Sequence, residues 1–119
     1  MHCESLAELT VALREFAEER DWNQFHSPKN LAAALIVEAA EALEHFQWLS
    51  DAESKSLPEV VRGKVELELA DVLIYLVRLA DRLDVDLLAA ASRKLEINAT
   101  KYPIEQSRGN REKYTELQP

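Results

Sequence analysis

Two pairs of acidic residues stand at helical spacing in stretches that are otherwise apolar. Glu38 and Glu41 lie three apart in "ALIVEAAEALEHFQWL", and Glu68 and Asp71 lie three apart in "VELELADVLIYLVRLA". Side chains at this spacing are neighbours on a helix surface, and Glu38 projects into the apolar stripe of its helix. Carboxylates in such positions need a partner, because burying an unpaired charge is costly.

A divalent cation is the partner that the pattern favours. A short connection lets the two helices pack antiparallel with the acidic pairs facing each other. We expect no lysine or arginine on the inner faces, and we place Arg78 and Arg82 on the side of the helix away from Asp71. Ligand sets made only of oxygen favour a hard ion, so the prediction is Mg²⁺, with Mn²⁺ as a substitute.

Two alternatives to a magnesium enzyme can be weighed on the same residues. A di-iron carboxylate bundle needs Glu-x-x-His, but here Glu41 and His45 are four apart, which disfavours that class. A non-catalytic helical dimerisation module would use the acidic residues as salt-bridge partners across an interface. That class predicts no effect of Mg²⁺ on stability. The sequence does not test this effect, so the alternative stays open at this point.

The composition predicts an all-α protein. The chain has 119 residues, of which 47% are apolar and only two are glycine. Scarce glycine disfavours phosphate-binding loops, Rossmann turns and hairpin-rich β folds, which need residues with positive φ. Alanine, leucine and glutamate are frequent, and they are strong helix formers.

Four helical segments can be placed from apolar periodicity and from helix start and stop signals. They are expected at residues 5–20, 28–49, 58–83 and 85–102. Ser27 precedes a proline and is expected to cap the second helix. Ser56 is expected to cap the third helix, Asp84 or Asp86 the fourth, and Pro103 to end it.

The domain is expected to span residues 1–103, and residues 104–119 to form a polar, flexible tail. The third helix is apolar on nearly all sides, and three short neighbouring helices cannot cover all of this apolar surface. We therefore expect a four-helix bundle that is completed by homo-oligomerisation.

The charge of the chain limits its partners. A formal net charge of −8 disfavours binding to nucleic acid. A single cysteine, Cys3, allows neither an intrachain disulfide nor a cysteine-based zinc site. We find no apolar stretch near the ~18 residues of a membrane helix and no signal-peptide layout, so we expect a cytoplasmic protein without membrane contact.

The order E-x-x-E then E-x-x-D resembles the signature of the all-α nucleoside triphosphate pyrophosphohydrolases, the MazG-like superfamily. The dCTP pyrophosphatase branch is the closer match, through "FAEERDWNQFHSPKNL", "EHFQW", "ELADVLIYLVRLA", "KLEINATKYP" and "KYTEL". The resemblance implies Mg²⁺-dependent cleavage of a deoxynucleoside triphosphate, above all dCTP or a modified dCTP, to the monophosphate and pyrophosphate. It also implies nucleotide-pool house-cleaning, a homo-oligomer, commonly a tetramer, and sites shared between subunits.

The resemblance further implies roles for individual residues. Metal ligands match at Glu38, Glu41, Glu68 and Asp71. Substrate-binding positions match at Trp22, Trp48, Tyr75, Lys94 and Asn98, with Tyr102 nearby. One departure is Leu13, where relatives of that branch carry a histidine; if that histidine reads the nucleotide, the base preference differs here.

The residue types agree with these roles but also fit simpler ones. A single polar edge of the fourth helix is formed by Lys94, Asn98 and Tyr102. This edge can contact phosphate, or it can be an ordinary solvent-exposed side of the helix. The tryptophans can stack on a base or pack at a subunit interface. His26 is the best titratable candidate near the base pocket, although a histidine before a helix is usually a surface residue.

Overall fold

The computed structural model of this chain describes residues 1–118, which form helices and no strand. The six α-helices of this part are α1 (Leu6–Glu19), α2 (Pro28–Glu44), α3 (Asp51–Ser54), α4 (Glu59–Arg82), α5 (Leu87–Lys101) and α6 (Ile104–Ser107). Short 3₁₀ turns lie at Asn23–Phe25 and Tyr114–Glu116. The all-α prediction is confirmed.

The chain forms two compact units, Met1–Asp84 and Val85–Pro119. In the first unit α4 packs against both α2 and α1. The buried apolar side chains of this unit are Ala17, Leu31, Val65, Val77 and Ala80. This core is small for three long helices, because many large apolar side chains of α2 and α4 remain exposed.

Three predicted helix starts are present. Ser5 and Ser27 each accept a hydrogen bond from the backbone N–H three residues on, at 3.1 and 3.2 Å, and Pro28 follows as the first residue of α2. Asp86 caps α5 in the same way at 3.0 Å. These side chains satisfy N–H groups that have no partner inside the helix, and Pro103 follows the end of α5 as expected.

The second helix is shorter than predicted. It ends at Glu44 instead of Leu49, and the segment that was expected to be a plain loop contains α3. Ser50 has an extended backbone with ψ 165°, and it forms a capping box with Glu53. An extended residue cannot continue a helix, so α2 has to end before this box.

The predicted cap of the third helix is also wrong. Pro58 has ψ 146°, and α4 begins only at Glu59, with Pro58 as a cap that makes no side-chain hydrogen bond. Ser56 therefore lies outside the helix, although its spacing to Glu59 matches a capping box.

In the second unit, aromatic contacts join the end of α5 to the chain that follows it. The Tyr114 ring packs edge-on against the Tyr102 ring, with centroids 6.1 Å apart, and Lys101 Nζ lies 4.7 Å from the Tyr114 centroid. That residues 104–119 form a separate, flexible tail stays a prediction. Among residues 1–118, none of the helices has both the length and the apolar character that crossing a membrane requires.

An ion pair ties α1 to α4. Arg14 donates from Nε and Nη2 to the two carboxylate oxygens of Asp81, at 2.8 and 2.5 Å. Arg14 holds the pKa of Asp81 below its ordinary value of 3.8. Two parallel charge-assisted bonds fix the relative position of the two helices better than one contact would.

We expect Asp81→Asn to lower the free energy of unfolding by about 2 kcal/mol, because two arginines lose a largely buried carboxylate partner. Urea denaturation at pH 7 measures this change. Because the folded pKa is lowered, the contribution of Asp81 is complete above pH 3.8 and is lost as the pH falls through the folded value. Glu66→Gln, which changes an exposed carboxylate of the same helix, is the control. An equal loss of unfolding free energy in both variants would contradict a stabilising role of the ion pair at Asp81.

Candidate functional site

Three glutamates converge where α2 packs on α4. One carboxylate oxygen from each of Glu38, Glu41 and Glu68 lies within 4.8 Å of the others. All three side chains are half-buried. Glu38 Oε2 and Glu68 Oε2 are buried and have no hydrogen-bond partner among the residues that the structure describes.

The crowding changes the acidity of two of these groups. Burial raises the pKa of Glu38 above 4.5, and the carboxylates of Glu41, Asp71 and Glu68 raise it further. Burial also raises the pKa of Glu68, as do Glu41 and Asp71, whereas His45 opposes the rise. The His45 Nε2 atom lies 3.9 Å from Glu68 Oε1, at the edge of the cluster.

The cluster fits a hard divalent cation. The groups that could bind an ion are all carboxylates from facing helices, and Glu38 and Glu68 each have one buried oxygen without a hydrogen-bond partner among residues 1–118. Buried carboxylate oxygens without donors either take up protons or bind a metal. This set of oxygens is the type that Mg²⁺ and Mn²⁺ prefer.

Asp71, the fourth predicted ligand, lies apart from the three glutamates. It is close enough to raise the pKa of Glu38 and of Glu68, yet it is outside the 4.8 Å set. Its side chain also lines a neighbouring cavity. Asp71 therefore stands between the carboxylate cluster and that cavity.

The cavity has a volume of about 430 Å³ and is enclosed mainly by apolar and aromatic side chains. Its lining includes Leu13, Trp22, His26, Asp71, Tyr75 and Arg78. The Trp22 ring packs edge-on against Phe16 at 5.7 Å and against His26 at 6.2 Å between centroids. Trp22 nevertheless remains 43% exposed, so one part of the indole is open to a ligand.

The chain as a whole was compared with known proteins. The sequence profile of the MazG-like family matches residues 33–117. This chain belongs to the MazG-like family.

Relatives of this MazG-like chain include dCTP pyrophosphatase 1 from Mus musculus, which is 50% identical over 105 residues. The human protein of the same name is 49% identical over 105 residues. The matched segment covers 87% of this chain but 62% of each mammalian protein, so the chain spans less than two thirds of their length. A crystal structure of a pyrophosphatase from Archaeoglobus fulgidus DSM 4304 has a TM-score of 0.79 and 45% identity, covering 87% of this chain and 96% of the other.

Four further site residues of this MazG-like chain were predicted from the sequence. Trp48 follows the end of α2 and is 86% exposed. Lys94, Asn98 and Tyr102 belong to the second unit; Lys94 is exposed and the other two are half-buried. Their roles in binding substrate stay predictions.

The placement of Arg78 was wrong. It lines the same cavity as Asp71 instead of lying on the opposite side of α4, and it is 5% exposed. Seven positions along a helix make about two turns, within roughly 20° of the starting direction. The spacing alone was therefore sufficient to find this residue.

Without metal, Glu38→Gln should be more stable than the wild type at pH 8, because the uncharged amide removes repulsion within the cluster. For an acid with a raised folded pKa, stability falls as the pH rises from 4.5 through the folded value. The advantage of the variant should therefore shrink as the pH is lowered towards 5. Thermal melts in EDTA across this range measure it.

Glu44→Gln, at an exposed position of α2, is the control and should show no such pH-dependent difference. A Glu38→Gln variant that is less stable than the wild type at pH 8 would contradict the repulsive cluster.

Proposed function

We propose that this protein is a Mg²⁺-dependent nucleoside triphosphate pyrophosphohydrolase that acts on dCTP or a modified dCTP. The products are the deoxynucleoside monophosphate and pyrophosphate, and the role is removal of unwanted nucleotides from the pool. The observation that carries the proposal is the convergence of Glu38, Glu41 and Glu68 beside an aromatic cavity, with two buried carboxylate oxygens that find no partner in the described part of the chain.

Glu38, Glu41 and Glu68 would hold Mg²⁺, with Asp71 as a further ligand from the cavity side. Mn²⁺ would substitute, because it also prefers oxygen ligands. When bound, the ion neutralises charge on the triphosphate oxygens and lowers the pKa of water.

The protein's own residues orient the reactants. Glu41 is within hydrogen-bonding reach of both Glu38 and Glu68, and we assign it to orient the attacking water and to accept its proton. Attack at the α-phosphorus breaks its bond to the bridging oxygen, and pyrophosphate leaves. Lys94, Asn98 and Tyr102, on one edge of α5, are the proposed phosphate contacts.

The cavity is the proposed site of the base. Trp22 and Tyr75 offer aromatic surface for stacking, and His26 and Asp71 offer polar groups. Trp48 is a further stacking candidate because its ring is exposed. The dCTP assignment is supported by the names of the mouse and human relatives at about 50% identity. Leu13 also lines the cavity and contributes an apolar side chain to its wall. We therefore expect the base preference to depend on Leu13.

With Mg²⁺, the wild type should release pyrophosphate from dCTP, and Glu38→Gln and Glu68→Gln should each lower kcat/KM about 100-fold or more, since each removes a charged ligand. Coupled pyrophosphate detection over a panel of deoxynucleoside triphosphates measures this. Glu44→Gln should retain wild-type activity.

If no triphosphate is hydrolysed at any Mg²⁺ or Mn²⁺ concentration, the enzyme assignment is wrong. A dimerisation module, whose stability does not respond to Mg²⁺, would then be the better description. Full activity in Glu38→Gln would disprove the metal site and leave the family assignment intact.

We also propose that the helices complete a four-helix bundle by homo-oligomerisation, as a tetramer. Large apolar side chains of the first unit are uncovered: Ile36 is 70% exposed and Leu67 is 69% exposed. Each Å² of such surface that a second copy covers contributes roughly 25 cal/mol. Large apolar side chains that are left uncovered in this way are typical of interfaces between subunits.

Leu67→Lys should reduce the oligomer to smaller species, because a charge placed in an apolar interface has no partner. Size-exclusion chromatography with multi-angle light scattering measures the mass. Glu66→Lys introduces the same group at an adjacent exposed polar position and should leave the mass unchanged. A wild type that is monomeric at high micromolar concentration would contradict the proposal.

A further inference from the structure

A buried guanidinium closes one wall of the aromatic cavity. Arg78 is 5% exposed, and each part of its fork has a partner. Nε donates to His26 Nδ1 at 3.2 Å, Nη1 donates to Asp81 Oδ2 at 3.4 Å, and Nη2 donates to Asn23 Oδ1. Arg78 therefore joins α4 to the loop that carries Trp22 and His26.

These contacts determine which nitrogen of His26 carries the proton. A guanidinium has only donors, so the nitrogen that faces it must accept. The Nδ1 atom of neutral His26 is thus unprotonated, and its proton lies on Nε2. Burial lowers the pKa of His26, and the charges of Arg78 and Arg82 lower it further, which favours the neutral ring.

The ring is also held in place. Arg82 Nε donates to the backbone carbonyl of His26 at 3.1 Å, and the Trp22 indole packs against the imidazole. Among residues 1–118, no group accepts a hydrogen bond from His26 Nε2. His26 is one of the residues that line the cavity, so its imidazole is a polar group in a wall that is mainly apolar and aromatic.

We propose that Arg78 is a positioning residue that fixes His26 as the Nε2–H tautomer, so that the imidazole presents an N–H donor in a fixed position to an acceptor atom of the nucleobase. This inference rests on the proposed function for the identity of the ligand. Asp71, on the same cavity, supplies an acceptor that complements this donor. Buried donors and acceptors discriminate strongly, because a base that leaves one unpaired loses binding free energy.

The Arg78→Lys variant distinguishes a role in positioning His26 from a role that only balances the charge of Asp81. Lysine keeps the positive charge beside Asp81, but it is a point charge without the planar fork that reaches Asp81, Asn23 and His26 together. Arg62→Lys, at an exposed arginine of the same helix, is the matched control.

The tautomer is tested in the intact wild-type protein without nucleotide. Long-range ¹H–¹⁵N correlation spectra distinguish protonated from unprotonated ring nitrogens, and the other two histidines, His2 and His45, serve as internal comparisons. We expect a single neutral Nε2–H form for His26 at pH 7 and a mixture of tautomers in Arg78→Lys. A wild-type His26 that is charged, mixed or protonated on Nδ1 would overturn the proposal, whatever the activity of the protein.

The consequence for substrate is tested by kinetics with dCTP and Mg²⁺. Arg78→Lys should raise KM about tenfold, as expected for the loss of one buried hydrogen bond, and change kcat less than about twofold. Arg62→Lys should match the wild type. His26→Gln, which retains an N–H donor, should keep a lower KM than His26→Phe.

The outcomes separate this inference from the proposed function. If the wild type hydrolyses no triphosphate, the proposed function fails, while the spectra still decide the tautomer. If the enzyme is active and both His26 variants and Arg78→Lys retain the wild-type KM, the donor role is wrong. If Arg78→Lys does not fold, as judged by circular dichroism, the wild-type spectra and the His26 variants still decide the question.

Discussion

The contact between α2 and α4 brings one oxygen from each of three carboxylates within 4.8 Å of the others, so the packing of these two helices has to tolerate their repulsion. Leucine at these positions would extend the apolar contact between the helices. With glutamate instead, two buried oxygens have no partner within residues 1–118, and burial together with the neighbouring carboxylates raises the pKa of Glu38 and of Glu68. Local rules of packing are broken where a site has to be formed, and the surrounding helix contacts must compensate.

The acidic pairs and the helix starts could be predicted because they depend on short-range geometry. An i, i+3 pair shares a helix face regardless of the rest of the fold, and Ser27 before Pro28 has few other interpretations. The region between α2 and α4 could not be assigned, because Ser50 and Ser56 each precede a glutamate by three residues. The choice between these two capping boxes depends on the extended backbone at Pro58, which the pattern does not reveal.

The cavity was harder to predict than the carboxylate cluster, because its residues come from distant parts of the chain. Arg78 meets Asn23 and His26 across more than 50 positions. Its direction on α4 follows from helical periodicity, but its partners follow from how α1 and the next loop pack on α4. Sequence patterns therefore locate the acidic cluster, whereas tertiary packing determines which polar groups line the cavity.

Charge is distributed along α4 in a way that gives an elongated ligand one orientation. Glu68 lies at the carboxylate cluster, Asp71 lies at its border with the cavity, and Arg78 lies at the cavity's far wall. Arg78 is a weak competitor for phosphates, because each of its three nitrogens already donates to a protein acceptor and its charge is paired with Asp81. On the proposed function, the triphosphate is directed to the cations held by the carboxylates, and the uncharged base enters the aromatic cavity. An anionic substrate can thus bind to a protein with a net charge of −8, because its charged part and its neutral part meet different ends of one helix.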